Sequence, residues 1–170
     1  MIIVLMGVTG SGKTTVGNLL AERLECGFSD ADDFHPPANV EKMRSGTPLQ
    51  DEDRWPWLAA LRKAIDGWQE QGVSHIVACS ALKHAYRQIL SPDDDVVFVF
   101  LKGSADVIGP RLKARQGHYM NPDLLGSQFD ALEEPVDAVT VDIAKTPEEI
   151  ADDVLVRLKA LKPVGEASLS

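Results

Sequence analysis

Short apolar runs alternate with amphipathic stretches along almost the whole chain. Apolar runs bounded by glycine, proline and acidic residues are typical of buried strands. They predict strands over residues 1–6, 26–32, 75–79, 96–101 and 138–142. Stretches between them have helical spacing, as Leu58, Leu61 and Ile65 illustrate. Strands that alternate with helices predict an α/β fold, with a parallel sheet and helices on both of its faces.

Two of the predicted helices carry clear start signals. Asn39 is expected to cap a short helix over residues 39–44. Thr146 precedes Pro147 and two glutamates, the pattern of a capped helix that continues to residue 161. Further helices are predicted over residues 15–24, 51–71, 86–90, 104–116 and 123–133. No linker interrupts the series, so we expect one domain over residues 1–162, with a lid at about 113–126 and a flexible tail at 163–170.

Residues 7–14 read GVTGSGKT and match the phosphate-loop pattern G-x-x-x-x-G-K-[ST]. Glycines let the backbone turn tightly, so that several N–H groups converge on one anion. Lys13 can then reach the β and γ phosphates, and the Thr14 hydroxyl can bind Mg²⁺. Because the loop opens a helix, the helix dipole also favours a phosphate. The predicted contacts with a nucleoside triphosphate are Gly7, Thr9, Gly10, Ser11, Gly12, Lys13, Thr14 and Thr15.

Polar residues follow several predicted strands at their carboxyl ends, the edge where parallel sheets bind ligands. Asp30 and Asp32 end the second strand, and strand alternation predicts that both point to one side. Lys83 follows the third strand. Thr146 follows the last one and is expected to border the adenine of the nucleotide. The sequence therefore predicts a single cleft at this edge.

Composition limits the partners. The 170-residue chain has a formal net charge of −9, which argues against nucleic acid, because backbone phosphates are bound by clustered positive charge. Cys26 and Cys79 lack the paired spacing of zinc or redox sites and are expected to be buried thiols in a reducing compartment. No apolar run approaches the length of a membrane span, and no basic region precedes the first run. We therefore expect a cytoplasmic protein with no membrane partner.

A phosphate loop occurs in motors, GTPases, transporter ATPases and small-molecule kinases. GTPases need an N-K-x-D motif, which the chain lacks, and transporter ATPases need an acid where the third strand ends in Ala78 and Cys79. The acid of a phosphotransferase must therefore come from elsewhere, and Asp32 is the best candidate. We expect Asp32 to lie near Mg²⁺ with Thr14 and to accept the proton of an attacking hydroxyl. Asp30 is the weaker alternative.

Two groups of cations favour a kinase of small metabolites. Arg111 and Arg115 lie on one helical face, just before the predicted lid, where they can stabilise the charge of a transferring phosphoryl group. Arg111 is also expected to contact the nucleotide. The predicted catalytic residues are thus Lys13, Asp32, Arg111 and Arg115. The second group, with Asp32, suits a carboxylate or polyol substrate and consists of His35, Arg54, Lys83 and Arg87.

Several blocks of the chain resemble gluconokinase. They are the phosphate loop, DADDFHP at 30–36, DRWPWL at 53–58, CSALK at 79–83 and RLKARQGH at 111–118. The similarity runs from residue 1 to about 161, and Ala31 replaces a glycine that the family often has. The resemblance implies a nucleoside-monophosphate-kinase-like P-loop fold with a five-stranded parallel sheet. It also implies phosphorylation of D-gluconate on the 6-hydroxyl with ATP and Mg²⁺, by a cytosolic homodimer.

Two alternatives stay open on the residues alone. A related P-loop kinase would use the same cleft and lid for shikimate or a nucleoside monophosphate. A non-catalytic regulator would bind ATP at the same loop, but it would release no additional ADP when gluconate is added.

Overall fold

The computed structural model describes residues 1–114 and 122–161. Its strands are β1 (Ile2–Met6), β2 (Gly27–Asp30), β3 (His75–Ala78), β4 (Val96–Lys102) and β5 (Val139–Asp142). Its helices are α1 (Lys13–Leu24), α2 (Pro37–Arg44), α3 (Asp51–Glu70), α4 (His84–Leu90), α5 (Ala105–Ala114), α6 (Pro122–Ala131) and α7 (Pro147–Leu161). A 3₁₀ helix, Ala31–Phe34, follows β2. Residues 115–121, which include Arg115 and half of the predicted lid, and the predicted tail lie outside the described residues.

The described strands form one parallel sheet in the order β2-β3-β1-β4-β5. This confirms the predicted five-stranded parallel sheet of a P-loop fold. β1 lies at the centre, and every one of its residues is apolar and buried. Because the strands are parallel, their carboxyl ends share one edge, and the phosphate loop leaves β1 at that edge.

Side-chain alternation along β1 divides the core into two layers. Ile3 and Leu5 pack with residues of α1, α5, α6 and α7. Ile2, Val4 and Met6 pack with residues of α3 and α4 on the other face. Helices therefore cover both faces, as a parallel sheet requires. None of the described helices is long and apolar enough to cross a membrane.

The segment after β2 differs from the predicted strand. β2 ends at Asp30, whose carboxylate accepts a hydrogen bond from the Asp32 N–H at 2.9 Å and so caps the 3₁₀ helix. The predicted strand alternation of Asp30 and Asp32 is therefore wrong, because a short acidic side chain can turn the backbone locally. The predicted cap at Asn39 is also wrong. The fixed φ of Pro37 starts α2 two residues earlier, and Asn39 is buried within the helix.

The two cysteines have different environments. Both are free thiols, and Cys79 is fully buried behind the sheet edge. Burial raises the pKa of Cys79 to about 12, so the thiol is neutral and packs as an apolar side chain. Cys26 is only partly buried, contrary to the prediction from sequence, because it follows the end of α1 and stands just outside β2.

Candidate active site

The phosphate loop connects β1 to α1 through two glycines with left-handed backbone. Gly10 has φ 78° and Gly12 has φ 98°, angles that side chains rarely allow. A Cβ at Gly10 would also lie 2.6 Å from the Cδ2 atom of Leu112 in α5. Gly12 is the N-cap of α1, so the free N–H groups of the first helical turn face the loop. The loop therefore has the geometry of an anion site.

Lys13 lies over this loop. Its ammonium donates to the carbonyl oxygens of Gly7 at 2.9 Å and Val8 at 3.0 Å. Ser11, in contrast, has its hydroxyl behind the loop, fully buried and with no hydrogen-bond partner in the described chain. The Ser11 N–H donates to the carbonyl of Val8 at 3.2 Å. In this conformation Ser11 therefore shapes the loop, and its predicted phosphate contact stays a prediction.

Asp32 follows β2 at the ligand-binding edge of the sheet, with 79% of its side chain exposed. Partial desolvation by the neighbouring chain raises the pKa of this exposed carboxylate, and the negative charge of Asp30 raises it further. The charges of His35 and Lys13 act on the Asp32 pKa in the opposite direction. A carboxylate with a raised pKa is a better proton acceptor than an ordinary aspartate, so this geometry suits a general base.

His35 is a buried neighbour of Asp32 and not a free cation. Only 4% of its side chain is exposed, and its ring stacks on Trp57 at 4.3 Å between centroids. Burial lowers the pKa of His35, with Arg54 contributing, so the imidazole is neutral near pH 7. Its Nε2 atom lies 3.8 Å from the Asp32 carboxylate. His35 can therefore offer a neutral hydrogen bond to a hydroxyl, but no charge to a carboxylate.

Asn39 determines which nitrogen of His35 carries the proton. The Asn39 amide nitrogen donates to the carbonyl of Asp53 at 2.7 Å, and the same nitrogen lies 3.2 Å from His35 Nδ1. Because this nitrogen is a donor, Nδ1 accepts and the imidazole proton resides on Nε2. The Nε2–H group consequently faces Asp32. Trp57 is bonded to the 3₁₀ helix that contains Asp32, since its Nε1–H donates to the carbonyl of Ala31 at 2.7 Å.

Arg54 and Lys83 meet around a single carboxylate, that of Asp51. Arg54 donates to Asp51 at 3.2 Å, Lys83 at 3.4 Å, and the Tyr86 hydroxyl at 2.5 Å. The Tyr86 hydrogen bond, with the Lys83 charge, lowers the pKa of Asp51 and keeps it ionised. Two cations and one anion leave one net positive charge, and about a third of each cation is exposed. This group can therefore bind a carboxylate from the cleft.

Asp51 and Tyr86 were not predicted from the sequence. Asp51 is the first residue of α3, three positions before Arg54, and Tyr86 lies in α4, three positions after Lys83. Side chains at this spacing are neighbours on a helix surface. This spacing is the local sequence signal that Asp51 can contact Arg54 and that Lys83 can contact Tyr86. The contact between the two pairs depends on α3 packing against α4, which no local pattern encodes.

Arg87 stands apart from the other cations. It is 6% exposed, and its guanidinium donates to the carbonyls of Ala81 at 2.7 Å, Leu82 at 3.1 Å and Glu133 at 2.7 Å. Burial lowers the pKa of this guanidinium. Ala81 has φ 45°, a strained conformation for alanine, at the turn that presents Lys83. The geometry therefore assigns Arg87 to holding that turn. It does not bring Arg87 to the sugar-acid group, which consists of Asp51, Arg54, Lys83 and Tyr86, although the sequence predicted a shared substrate site.

Replacing Arg87 with alanine is expected to lower the free energy of unfolding by about 2–4 kcal/mol. The reason is that three backbone carbonyls would lose a charged donor, and two of these hydrogen bonds are buried. Urea denaturation measures the loss. Arg87→Lys should recover little of it, because one ammonium cannot replace the planar fork of donors. Unchanged stability together with a raised KM for the sugar acid would instead support the original substrate-binding prediction.

Arg111 contacts the segment between β5 and α7, to which Thr146 belongs. Arg111 donates to the carbonyl of Ile143 at 2.6 Å. The Thr146 hydroxyl accepts from the Glu149 N–H at 3.2 Å and donates to its carboxylate at 2.9 Å, the predicted helix cap. Arg111 thus joins α5 to the loop that is expected to border adenine. The predicted nucleotide contacts of Arg111 and Thr146 stay predictions, and Arg115 lies outside the described residues.

Thr14 and Asp32 are the oxygen donors expected at Mg²⁺. Thr14 is exposed in the first turn of α1, and the Asp32 carboxylate faces the cleft. Within the described residues no cluster of three or more acidic, histidine or cysteine side chains could hold a metal. Mg²⁺ is typically held by one or two protein oxygens together with phosphates and water. A hydroxyl and a carboxylate beside a phosphate loop fit that donor set.

Comparison with known proteins adds independent information. A family model described as shikimate kinase matches residues 9–159. The probable gluconokinase of Dictyostelium discoideum is 42% identical over 173 residues, covering 94% of this chain and 86% of that protein. The thermoresistant gluconokinase of Escherichia coli (strain K12) is 43% identical over 163 residues, covering 93% of both. The crystal structure of a gluconokinase from Sinorhizobium meliloti 1021 superposes with a TM-score of 0.84 at 43% identity, covering 94% of this chain and 91% of that one.

Proposed function

The chain belongs to the gluconokinase family, and on that premise we propose that its cleft transfers the γ-phosphoryl group of ATP to the 6-hydroxyl of D-gluconate. The products are 6-phospho-D-gluconate and ADP. One observation carries the assignment of roles: the exposed Asp32 carboxylate follows β2 at the sheet edge where the phosphate loop leaves β1, and it lies 3.8 Å from His35 Nε2. We therefore assign the candidate base to the part of the cleft between the phosphate loop and the cations Arg54 and Lys83.

Arg54 and Lys83 are proposed to bind the gluconate carboxylate. Asp51 and Tyr86 hold both cations near one point, and the single net positive charge there matches a monoanion. The planar donors of Arg54 suit the two carboxylate oxygens, whereas Lys83 adds a point charge. The neutral His35 is left to bond a hydroxyl of the polyol chain. Arg87 supports this group indirectly, through the turn before Lys83.

Asp32 is proposed to accept the proton of the 6-hydroxyl as that oxygen bonds to the γ-phosphorus. The bond from the γ-phosphorus to the bridging oxygen breaks, and the negative charge departs on ADP. Lys13 and the loop N–H groups stabilise the charge on the β and γ phosphates. Bound Mg²⁺ would supply further neutralisation there, with Thr14 and Asp32 as the residues that would hold it. Arg111 and Arg115 are proposed to exclude water from the triphosphate.

We extend the proposal to the surroundings of this site. Residues 1–162 are assigned to one kinase domain, with residues 113–126 as its lid and residues 163–170 as a tail. The resemblance to the family supports a cytoplasmic homodimer that uses ATP and Mg²⁺ and binds neither nucleic acid nor membrane. The net charge of −9 is in keeping with the nucleic-acid part of this assignment.

Gluconate is expected to stimulate ADP release, whereas shikimate and nucleoside monophosphates are expected to leave it at background. The reason to include shikimate is specific, since a shikimate kinase family model matches most of the chain. A coupled ADP assay with each acceptor measures the rates, and phosphorus NMR of the product identifies the phosphorylated hydroxyl. ATP binding without stimulation by any acceptor would support the regulator. Greater stimulation by shikimate would move the assignment to that substrate.

A further inference from the structure

A side chain from α6 reaches into the phosphate loop. The Thr9 N–H donates to the Oε1 atom of Gln128 at 2.5 Å, across 119 residues of sequence. Gln128 is partly buried there. The N–H groups of Gly7 and Ser11 have backbone partners, the carbonyls of Ser80 and Val8. Thr9 is thus a loop residue whose N–H bonds to a side chain of a distant helix.

The end of α6 is also attached to the substrate side of the cleft. Two residues past α6, the Glu133 N–H donates to the carbonyl of Leu82 at 2.8 Å. The Glu133 carboxylate accepts from the His84 N–H at 2.7 Å. These bonds fasten α6 to the turn that presents Lys83, so the position of Gln128 is defined from both sides. A side chain held in this way is preorganised relative to the phosphate loop.

The hydrogen-bonding groups of the Gln128 carboxamide determine which interactions this side chain can make beside the phosphate loop. Its oxygen is engaged by Thr9, which leaves its NH₂ group with two donors beside a loop that cradles phosphates. The group is neutral, so it adds hydrogen bonds without competing for a cation. Charge spreads over the equatorial oxygens of a transferring phosphoryl group, and fixed donors stabilise that charge.

We propose that Gln128 is a catalytic residue: it keeps its oxygen on the Thr9 N–H and donates from Nε2 to the γ-phosphoryl group during transfer. This inference rests on the proposed kinase function and adds a contact to it. It also gives α6 a role, because the segment that follows this helix is hydrogen-bonded to the turn that presents Lys83. A donor of this kind contributes about 10²- to 10³-fold to kcat.

Two substitutions separate the donor from the rest of the side chain. Gln128→Glu keeps an acceptor for Thr9 but loses the donors, and Gln128→Met loses both without adding charge. We expect each to lower kcat about 10²- to 10³-fold. Gln88→Glu is the matched control. Gln88 is exposed on α4, so this substitution makes the same chemical change at a position away from the phosphate loop. It should retain the original kcat.

A binding measurement tests the contact without turnover. Isothermal titration with ADP and with a non-hydrolysable ATP analogue should give an unchanged ADP affinity and a roughly tenfold weaker analogue affinity in Gln128→Glu. In the free protein, the amide NMR signal of Thr9 should stay hydrogen-bonded in Gln128→Glu and shift in Gln128→Met. Equal losses for ADP and analogue, or wild-type kcat in both variants, would overturn the proposal. Absence of gluconate phosphorylation by the wild type would instead overturn the proposed function, and the binding data would still be interpretable.

Discussion

Replacing Asp32 with asparagine is expected to lower kcat for gluconate phosphorylation about 10²- to 10⁴-fold, the usual contribution of a general base. Asparagine has nearly the same shape, so the loop around it should remain intact. The KM for gluconate should change little, because Arg54 and Lys83 bind the carboxylate at a different point. Steady-state kinetics with varied gluconate and varied ATP measure both constants. Nearly full turnover in Asp32→Asn would remove Asp32 from the mechanism.

The pH profile provides the control for this substitution. Partial desolvation and the Asp30 charge raise the pKa of Asp32, so activity should fall on acidification at a higher pH than for an ordinary aspartate. Asp30→Asn keeps an oxygen that can accept from the Asp32 N–H but removes the negative charge. The pKa of Asp32 should then decrease, and the acidic limb of kcat should move to lower pH. An unmoved limb would mean that a different group titrates.

Replacing Arg54 with alanine is expected to raise the KM for gluconate about 10- to 150-fold. The estimate follows from a charge-assisted hydrogen bond of about 1.5–3 kcal/mol, since each 1.4 kcal/mol is a factor of ten. Removal of Arg54 also leaves Asp51 with fewer cations, which reduces the positive charge offered to the substrate. The KM for ATP should stay within about twofold, because its binding site is the phosphate loop.

Arg157→Ala is the matched control for Arg54→Ala. Arg157 lies on α7, is half exposed and pairs with Asp153, far in sequence from the cleft residues. Its removal should leave both KM values unchanged. If Arg54→Ala raised the KM for ATP and for gluconate equally, the loss would be one of general cleft structure, and Arg54 would no longer be assigned to the sugar acid.

Much of the fold was predictable because it depends on local pattern. The apolar run of β1, the glycines of the phosphate loop and the Thr146 cap can each be recognised within a few consecutive positions. Hydrophobic periodicity then indicated the layer arrangement, since each strand or helix must bury its apolar face. The error at Asp32 has a local cause as well: the Asp30 side chain competes with the strand for the Asp32 N–H.

The different roles of the cations depend on the tertiary structure. The sequence by itself determined that a phosphate loop, an acid and several basic residues gather at one sheet edge, because parallel strands bring their carboxyl ends together. It did not distinguish Arg54 from Arg87, since both are arginines near the starts of helices. Packing of α3 against α4 exposes Arg54 beside Asp51, whereas the turn at Ala81 and the segment at Glu133 enclose Arg87. Whether a guanidinium binds a ligand or a backbone depends on which groups desolvate it, and those groups come from distant parts of the chain.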